Sequence, residues 1–537
     1  VISKSKQSEL RGRLFRHLDG LVSAPTAYEL FIKGVWYQLA RNKSCSLNTL
    51  STDFNANEGY LNVALRILCS QGWCEQSVDN SKNRITFSIT PRGRIAMEYM
   101  PLYKEAVELL RLSGNYHPRK FEKAPFHKLE QLFAHFRSDF GTKPDRDPAS
   151  EAVRQQVLAH IEGIILGPTI VHLGMSGMFH KYFMETRFTP DEFHEDPESF
   201  MRLLDMFVYF DLFQKKGDAY QFTENGLFFA KRASAYGVTV SYLPTLRKLD
   251  DLIFGDALLL RNQGEEVSEI HVDRAMNVWG SGGAHAAYFK VVDNIIVDIF
   301  NQPIDQQPKG ILDMGCGNGA FLEHLFNVID KRTLRGELLE EHPLVLVGVD
   351  YNETALKITR ANLVKADIWA KVIWGDIGRP HKLAETLKKE YDVDLGELLN
   401  VRTFLDHNRV WNPPIKPDTQ RSSESTGAFS FKGERINNNL VEDSLREHFE
   451  NWAPYVKKFG LLVIELHTIS PELVAQNLGR TPATAYDATH GYSDQYIVEI
   501  PVFMKVLKEA GLLPDQKFSR LFPDSELATV SVNLVRA

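Results

Sequence analysis

The stretch GILDMGCGNGAFLEHL, residues 310–325, decides the fold. An apolar run closes on Asp313 and Met314, three glycines follow at alternate positions, Gly315, Gly317 and Gly319, and a helix begins. Glycine lets a backbone turn sharply and approach a ligand with no Cβ in the way. The amides at the start of the next helix face that ligand. The same spacing, extended to Ala320, also satisfies the relaxed dinucleotide pattern G-x-G-x-x-A. Outward from this turn, short apolar runs alternate with amphipathic stretches: LVLVGVD, AKVIWGD, DLGELLNV, GLLVIELH and LATVSVNLV. Strands alternating with helices predict an α/β fold with a doubly wound sheet, here over residues 306–537.

Three acids favour S-adenosylmethionine over NAD as the ligand. Asp313 stands two residues before Gly315, where a pyrophosphate meets an unwanted negative charge and a sulfonium with an ammonium group does not. Asp350 closes the next strand and suits both ribose hydroxyls, although its offset from the glycines exceeds the usual ~20 residues and implies an extra loop. Asp376 closes the third strand, within reach of an adenine amino group. A helix-capping role explains any one of these acids but poorly explains three. Tyr351, Ile377 and Asn400, beside the same strand ends, complete the expected cofactor contacts. The preceding helix, GSGGAHAAYFKVV, occupies a lid position, with His285, Tyr288 and Phe289 as lining candidates; ordinary packing suits Phe289 better than His285.

In doubly wound sheets ligands lie beyond the carboxyl ends of the strands, and three polar clusters fall there. LLNVRTFLDHNR presents Arg402, Asp406, His407, Asn408 and Arg409; LLVIELHT presents Glu465 and His467; DATHGYSDQY, residues 487–496, presents His490 and Gln495. Each histidine alone has a structural explanation, as an orienting or satisfied core residue. Together, histidine, carboxylate and amide oxygen suit a borderline divalent ion such as Fe(II), Mn(II) or Zn(II). No local ligand spacing such as H-x-x-x-H is present. Without a metal, His490 or His407 serves as general base.

WGSGGAHAAYF, DMGCGNG, FLDHNR and HGYSDQY, in that order, resemble the methyltransferase domains of polyketide synthase loading modules of the type followed by a GNAT-like domain. The resemblance covers about residues 270–537 and implies a class I, Rossmann-like core. It also implies C-methylation of a malonyl or methylmalonyl thioester on an acyl carrier protein, making a branched starter unit beside neighbouring loading-module domains. Some members are similar to mononuclear iron or manganese enzymes, which places His467 and Gln495 as metal ligands holding Fe(II) or Mn(II), with His490 as alternative ligand or base. Such a metal stabilises the enolate as a Lewis acid. Arg402 or Arg409 then pairs with the substrate carboxylate, and His490, His407, Arg409 and Tyr288 form the catalytic set. The alternative is a metal-independent small-molecule O-methyltransferase with a winged-helix dimerisation region; a third is an adaptor with a vestigial core, against which the set Asp313, Gly315, Gly317 and Asp350 argues.

Residues 1–240 carry a diverged repeat. A helix with Leu61, Leu65 and Leu68 on one face leads to a hairpin and Thr90-Pro91-Arg92-Gly93; a helix with Leu203, Met206 and Phe207 leads to a hairpin and Thr223-Glu224-Asn225-Gly226. This is a winged-helix pattern, and residues 241–305 follow as a helical connector and cofactor lid. Recognition helices offer Arg or Lys to DNA, whereas these offer Leu, Met and Phe, so packing or dimerisation is expected. A formal net charge of -7 points the same way, with no nucleic acid and no membrane as partner. No run of about 18 apolar residues suggests a membrane span. Four cysteines without a CxxC pair fit a reducing compartment, the cytoplasm. The first residue is Val1, as expected of a trimmed chain or of a domain cut from a longer polypeptide.

Overall fold

The computed structural model describes residues 2–112, 123–261, 269–284 and 286–537. They form two compact units. The first comprises Val1–His285, Ala428–Arg435 and Ser470–Asp494; the second comprises Ala286–Gly427, Ile436–Ile469 and Gln495–Ala537. These limits differ from the sequence divisions at 240 and 305. The expected connector is split between the units, and two later segments pack with the N-terminal one because their backbone and side chains are bonded there, as where the amide of Gly59 donates to the carbonyl of Gly433 at 2.8 Å.

The first unit is built on helices Lys4–Ile32 and Pro148–Met175, which pack together. Among the described residues the latter is the one helix long and apolar enough to cross a membrane, although no continuous apolar run marks it in the sequence; 78% of its most apolar window is buried. Val157, Ile161, Ile164 and Ile165 spend that apolarity in the core.

Both halves of the repeat fold alike. Helix Glu58–Ser70 precedes antiparallel strands Cys74–Asp79 and Arg84–Ile89 and helix Pro91–Tyr99; helix Pro197–Tyr209 precedes strands Phe213–Lys216 and Ala219–Phe222 and helix Glu224–Ala230. The T-x-x-G signature has a physical basis in each. Oγ1 of Thr90 accepts the amide of Gly93 at 2.9 Å, and Oγ1 of Thr223 accepts that of Gly226 at 2.9 Å, capping the final helix. A Cβ on either glycine would stand 1.9 Å from a carbonyl oxygen, of Trp73 or Leu212, so only glycine fits. The helix Glu58–Ser70 buries every residue from Gly59 onward, in keeping with its leucine-rich composition.

The second unit holds an eight-stranded sheet: β1 Gly310–Met314, β2 Val345–Asp350, β3 Lys371–Trp374, β4 Leu398–Thr403, β5 Leu461–Leu466, β6 Leu513–Pro514, β7 Arg520–Phe522 and β8 Val530–Arg536. The order is β6-β8-β5-β4-β1-β2-β3, with β7 also paired to β8. β1 to β5 are parallel and β8 runs antiparallel to β5. All six strands expected from the sequence are present; the short β6 and β7 are additions. Every residue of β1 and β5 is buried, as strands covered on both faces must be. Helices Ala320–Arg332, Glu353–Lys365 and Pro380–Tyr391 follow β1, β2 and β3. The winding direction reverses between β1 and β4, so the crevice lies beyond the carboxyl ends of those two strands.

Candidate active site

The glycine turn occupies that crevice. Gly315, Gly317 and Gly319 adopt φ of +80°, +57° and +82°, a left-handed run open to glycine and strained for other residues. A Cβ on Gly317 would meet nothing within 4 Å, so its outer face borders open space, whereas one on Gly315 would press on Leu405 at 3.0 Å. Asp313 is 2% exposed. Its Oδ2 is buried with no hydrogen-bond partner, and burial, reinforced by the charge of Asp350, pushes its carboxyl up to about 7. A cation placed beside it satisfies the orphaned oxygen and restores the charged form. Cys316, inside the turn, has its thiol pushed up to about 12 by burial first and Asp313 second, and is no nucleophile.

Asp350 braces the turn. Its Oδ2 accepts the amide of Gly317 at 3.0 Å and its Oδ1 that of Asn352 at 2.9 Å, which leaves each oxygen capacity for a further donor such as a hydroxyl. Tyr351 is 64% exposed and its ring lies 5.4 Å from that of Trp374, forming an aromatic wall the sequence did not mark at Trp374. Asp376 is more local: Oδ1 accepts the amide of Gly378 at 2.8 Å, and Oδ2 lies 3.4 Å from Nε of Arg379. Ile377 is buried, and its carbonyl accepts Nε1 of Trp452 at 2.8 Å. Asn400 needs correction as a cofactor contact. It sits inside β4, 1% exposed, and its Nδ2 points back to the carbonyls of Leu398 at 3.3 Å and Leu395 at 3.5 Å, toward the amino end of the strand.

The carboxyl end of β4 carries the next group of candidate residues. Phe404 has φ of +52°, a strained conformation for a bulky residue and one found at functional sites. Its ring lies 6.0 Å from that of Tyr288, which also meets Phe522 at 4.9 Å; burial raises the Tyr288 phenol. Phe289 stacks on His324 at 4.6 Å, an ordinary helix–helix contact. His285 lies outside the described residues.

His407 follows, 5% exposed, and a single carboxylate holds it twice. Glu465, at the end of β5, accepts the His407 amide at 3.1 Å through Oε2 and bonds its Nδ1 through Oε1. That bond puts the ring proton on Nδ1 and makes Nε2 the basic nitrogen. Arg409 donates to the carbonyl of Asp406 at 2.6 Å; burial lowers its guanidinium to about 10, against the pull of Asp406 and Glu465. Arg402 lies deeper: it is 1% exposed, stands 3.0 Å from Asp406 and 4.7 Å from the ring centroid of Trp452, and its three guanidinium nitrogens are buried without a hydrogen bond. Asp406 also bonds Nε2 of His448 at 2.8 Å; burial opposes its charge, but Arg402, His448 and Arg409 prevail and hold its carboxyl well below the usual range. Sequence reasoning missed His448 altogether.

The expected metal pair does not fit. His467 is 0% exposed with both ring nitrogens engaged, Nε2 with Oγ of Ser531 at 2.7 Å and Nδ1 with the carbonyl of Val498 at 3.1 Å, and burial lowers it to about 3. Gln495 is 8% exposed in the same unit. Among the described residues no group of three or more His, Cys, Asp or Glu is arranged to hold a metal ion.

DATHGYSDQY divides at Asp494. The part through Asp494 belongs to the N-terminal unit, and Gln495 and Tyr496 to the C-terminal one. Asp487 pairs with Nε of Arg66 at 2.9 Å, the Tyr492 hydroxyl meets that of Thr26 at 3.1 Å, and Asp494 accepts the Tyr60 hydroxyl at 2.9 Å and pairs with Arg261 at 2.8 Å. His490 lies in helix Ala483–Gly491 of that unit, with Nδ1 donating to the carbonyl of Tyr486 at 2.7 Å. The amide of Tyr496 donates to the His407 carbonyl at 2.8 Å within the C-terminal unit.

Residues 269–533 match the family model of the AprA MT2-like methyltransferase domain, residues 162–256 that of the AprA winged helix domain and residues 10–76 that of the AprA N-terminal domain. No curated protein matches the chain. Similar solved structures include the mitomycin 7-O-methyltransferase MmcR, 12% identical over 72% of this chain and 98% of that one with a TM-score of 0.41. They also include an O-methyltransferase family protein from Burkholderia thailandensis, 12% identical over 69% and 94% with a TM-score of 0.38. CalO1, a methyltransferase in calicheamicin biosynthesis, is 15% identical over 73% and 99% with a TM-score of 0.36.

Proposed function

We propose that this S-adenosylmethionine-dependent methyltransferase methylates the α-carbon of a malonyl or methylmalonyl thioester carried on an acyl carrier protein. The observation that carries the chemistry is the double hold of Glu465 on His407 at the carboxyl edge of β4 and β5. The choice of substrate rests on the sequence resemblance of FLDHNR and HGYSDQY to loading-module domains.

Asp313 and Asp350 would hold the methyl donor over the turn Gly315–Gly319, with Tyr351 and Asp376 at its edges. Bound there, S-adenosylmethionine supplies an electrophilic methyl group on a sulfonium. His407 Nε2 takes the α-proton; the electron pair left on carbon forms the new C–C bond as the S–CH3 bond breaks, and the proton stays on the imidazole. Glu465 holds the ring in place and stabilises the resulting imidazolium. Arg409, half-buried and two residues beyond His407, pairs with the malonyl carboxylate and keeps the reacting carbon in position. Tyr288 and Phe404 wall the acyl group from water. No step is assigned to a metal, because His467 has no nitrogen to give one.

The test is intact-mass measurement of malonyl- and methylmalonyl-loaded carrier protein after incubation with S-adenosylmethionine, with and without chelator. The expected result is a gain of one or more methyl masses, equal in both arms and lost in His407→Ala. Gain only with added Fe(II) or Mn(II) would overturn the metal-free assignment. Transfer to a phenolic hydroxyl, with none to either thioester, would replace this substrate by the O-methylation alternative.

A further inference from the structure

The N-terminal unit contains a cavity of about 420 Å³ that the methyl-transfer chemistry does not use, lined by Arg16, Asp19, Gln71, Arg92, Gln156 and His160 among others. Helical spacing assembles it. Arg16 and Asp19 are three apart on helix Lys4–Ile32, Gln156 and His160 are four apart on helix Pro148–Met175, and Arg92 opens helix Pro91–Tyr99. Its polar wall is continuous. Oε1 of Gln156 accepts Nε1 of Trp73 at 3.2 Å and Nη2 of Arg92 at 3.1 Å. Nε2 of Gln156 donates to Oε1 of Gln71 at 3.0 Å, and Nε2 of Gln71 donates to Thr484 at 3.1 Å. His160 bonds the Tyr103 hydroxyl at 2.6 Å and is held neutral by burial.

Two atoms of that wall are left over. Asp19 is 2% exposed and its Oδ1 has no partner, and Nε of Arg92 is likewise buried and unmatched. A core that satisfies Trp73, Gln71 and Gln156 in series leaves such orphans unfavourably buried unless something fills the space. The volume lies in the range of small-molecule sites. Two guanidiniums face one buried carboxyl and a neutral imidazole, so the wall carries an excess of positive charge.

We propose that this cavity binds a small organic or inorganic anion. Its carboxylate or phosphate receives hydrogen bonds from Arg92 and Arg16, and a hydroxyl or amide on the same molecule donates to Asp19. Guanidinium groups favour both oxyanions by the same bidentate geometry, so the source is decided by experiment.

The full-length chain is titrated calorimetrically, at constant ionic strength, with inorganic phosphate, L-malate and succinate. Saturable one-to-one binding is expected, with malate preferred to succinate if the donor to Asp19 operates, and phosphate preferred to both if the site takes phosphate. Arg16→Gln, at an exposed position, weakens it about tenfold or more, and Ala159→Trp, which fills the cavity, removes it. Affinity for S-adenosylmethionine stays unchanged in both. Absence of saturable heat with all three anions means the cavity holds only water and overturns the proposal. Binding unaltered in a folded Arg16→Gln chain places the anion elsewhere and does the same.

Discussion

Asp487 separates two accounts of the segment DATHGYSDQY. If the segment walls a substrate, removing this carboxylate damages methyl transfer; if it anchors the N-terminal unit, removal damages stability. The structure supports the second. Asp487 and Arg66 bond at 2.9 Å with side chains only 5% and 2% exposed. Asp487→Ala strands a buried guanidinium, a change that costs about 3–5 kcal/mol. In a unit of more than 300 residues each kcal/mol moves the midpoint by about 1.5 °C, so the expected fall is about 4–8 °C. Differential scanning calorimetry of the full chain reads it as a shift of one transition. Methyl transfer per folded molecule, measured at 15 °C, stays within about twofold of the parent. A double variant, Arg66→Met with Asp487→Leu, recovers most of the loss because neither charge then remains buried. An unchanged midpoint in Asp487→Ala together with abolished transfer would refute the anchoring account.

Glu465→Gln removes the charge that sets the His407 tautomer and stabilises its protonated form; kcat falls about 10²-fold with KM for S-adenosylmethionine unchanged, and a loss confined to KM would sink the dyad. Gly317→Ala puts a methyl into the open space at φ of +57°. Calorimetric affinity for S-adenosylmethionine drops about tenfold or more while the melting midpoint moves by only a few degrees; unchanged affinity would mean the donor does not lie over the turn. The carboxyls of Asp313 and Asp19 are both raised from 3.8 to about 7 by burial. Folded values above unfolded ones mean that the unfolded chain ionises first, so the ligand-free protein loses stability as pH rises from about 4 to about 7 and levels off above. A cationic donor favours the ionised Asp313, so its affinity increases with pH through about 7, and a flat profile from pH 6 to 8.5 would take Asp313 out of the site.

Much of the sheet was legible because its determinants are local. A glycine run between a buried strand and a helix start, with acids at three strand ends, needs no long-range contact to be recognised, and the T-x-x-G turns at Thr90 and Thr223 are equally self-contained. His407 and Glu465 were each visible in the sequence, but not their pairing. Glu465 lies 58 residues away and becomes a neighbour only because β4 and β5 pair in parallel. That pairing was implicit in the doubly wound order, so the dyad was recoverable: residues at the ends of strands adjacent in the sheet, rather than residues adjacent in the chain, are the ones that meet. The same rule would have cleared His467. It stands where β5 faces β8, and Ser531 of that strand takes its Nε2. Asn400 failed for a related reason, since a position inside β4 aims its side chain by strand geometry and not by its distance from the crevice.

The acids and Tyr492 of the polar decapeptide have a structural role that composition does not reveal. Acid, histidine, amide and tyrosine in ten residues look like an active site, but a chain segment that leaves one folded unit and is buried in another must carry polar groups matched to that second environment. Asp487 finds Arg66, Tyr492 finds Thr26 and Asp494 finds Tyr60 and Arg261, across separations of 233 to 466 residues in all four cases. Buried polar groups are costly alone and cheap when paired, so a return crossing of this kind selects the same residue types as catalysis does. What distinguishes the two is where the partners come from. Catalytic groups keep capacity for a substrate, whereas the carboxylates of Asp487 and Asp494 are already engaged by arginine and tyrosine at 2.8–2.9 Å. Sequence alone lists the groups; only the fold says which of them are spent.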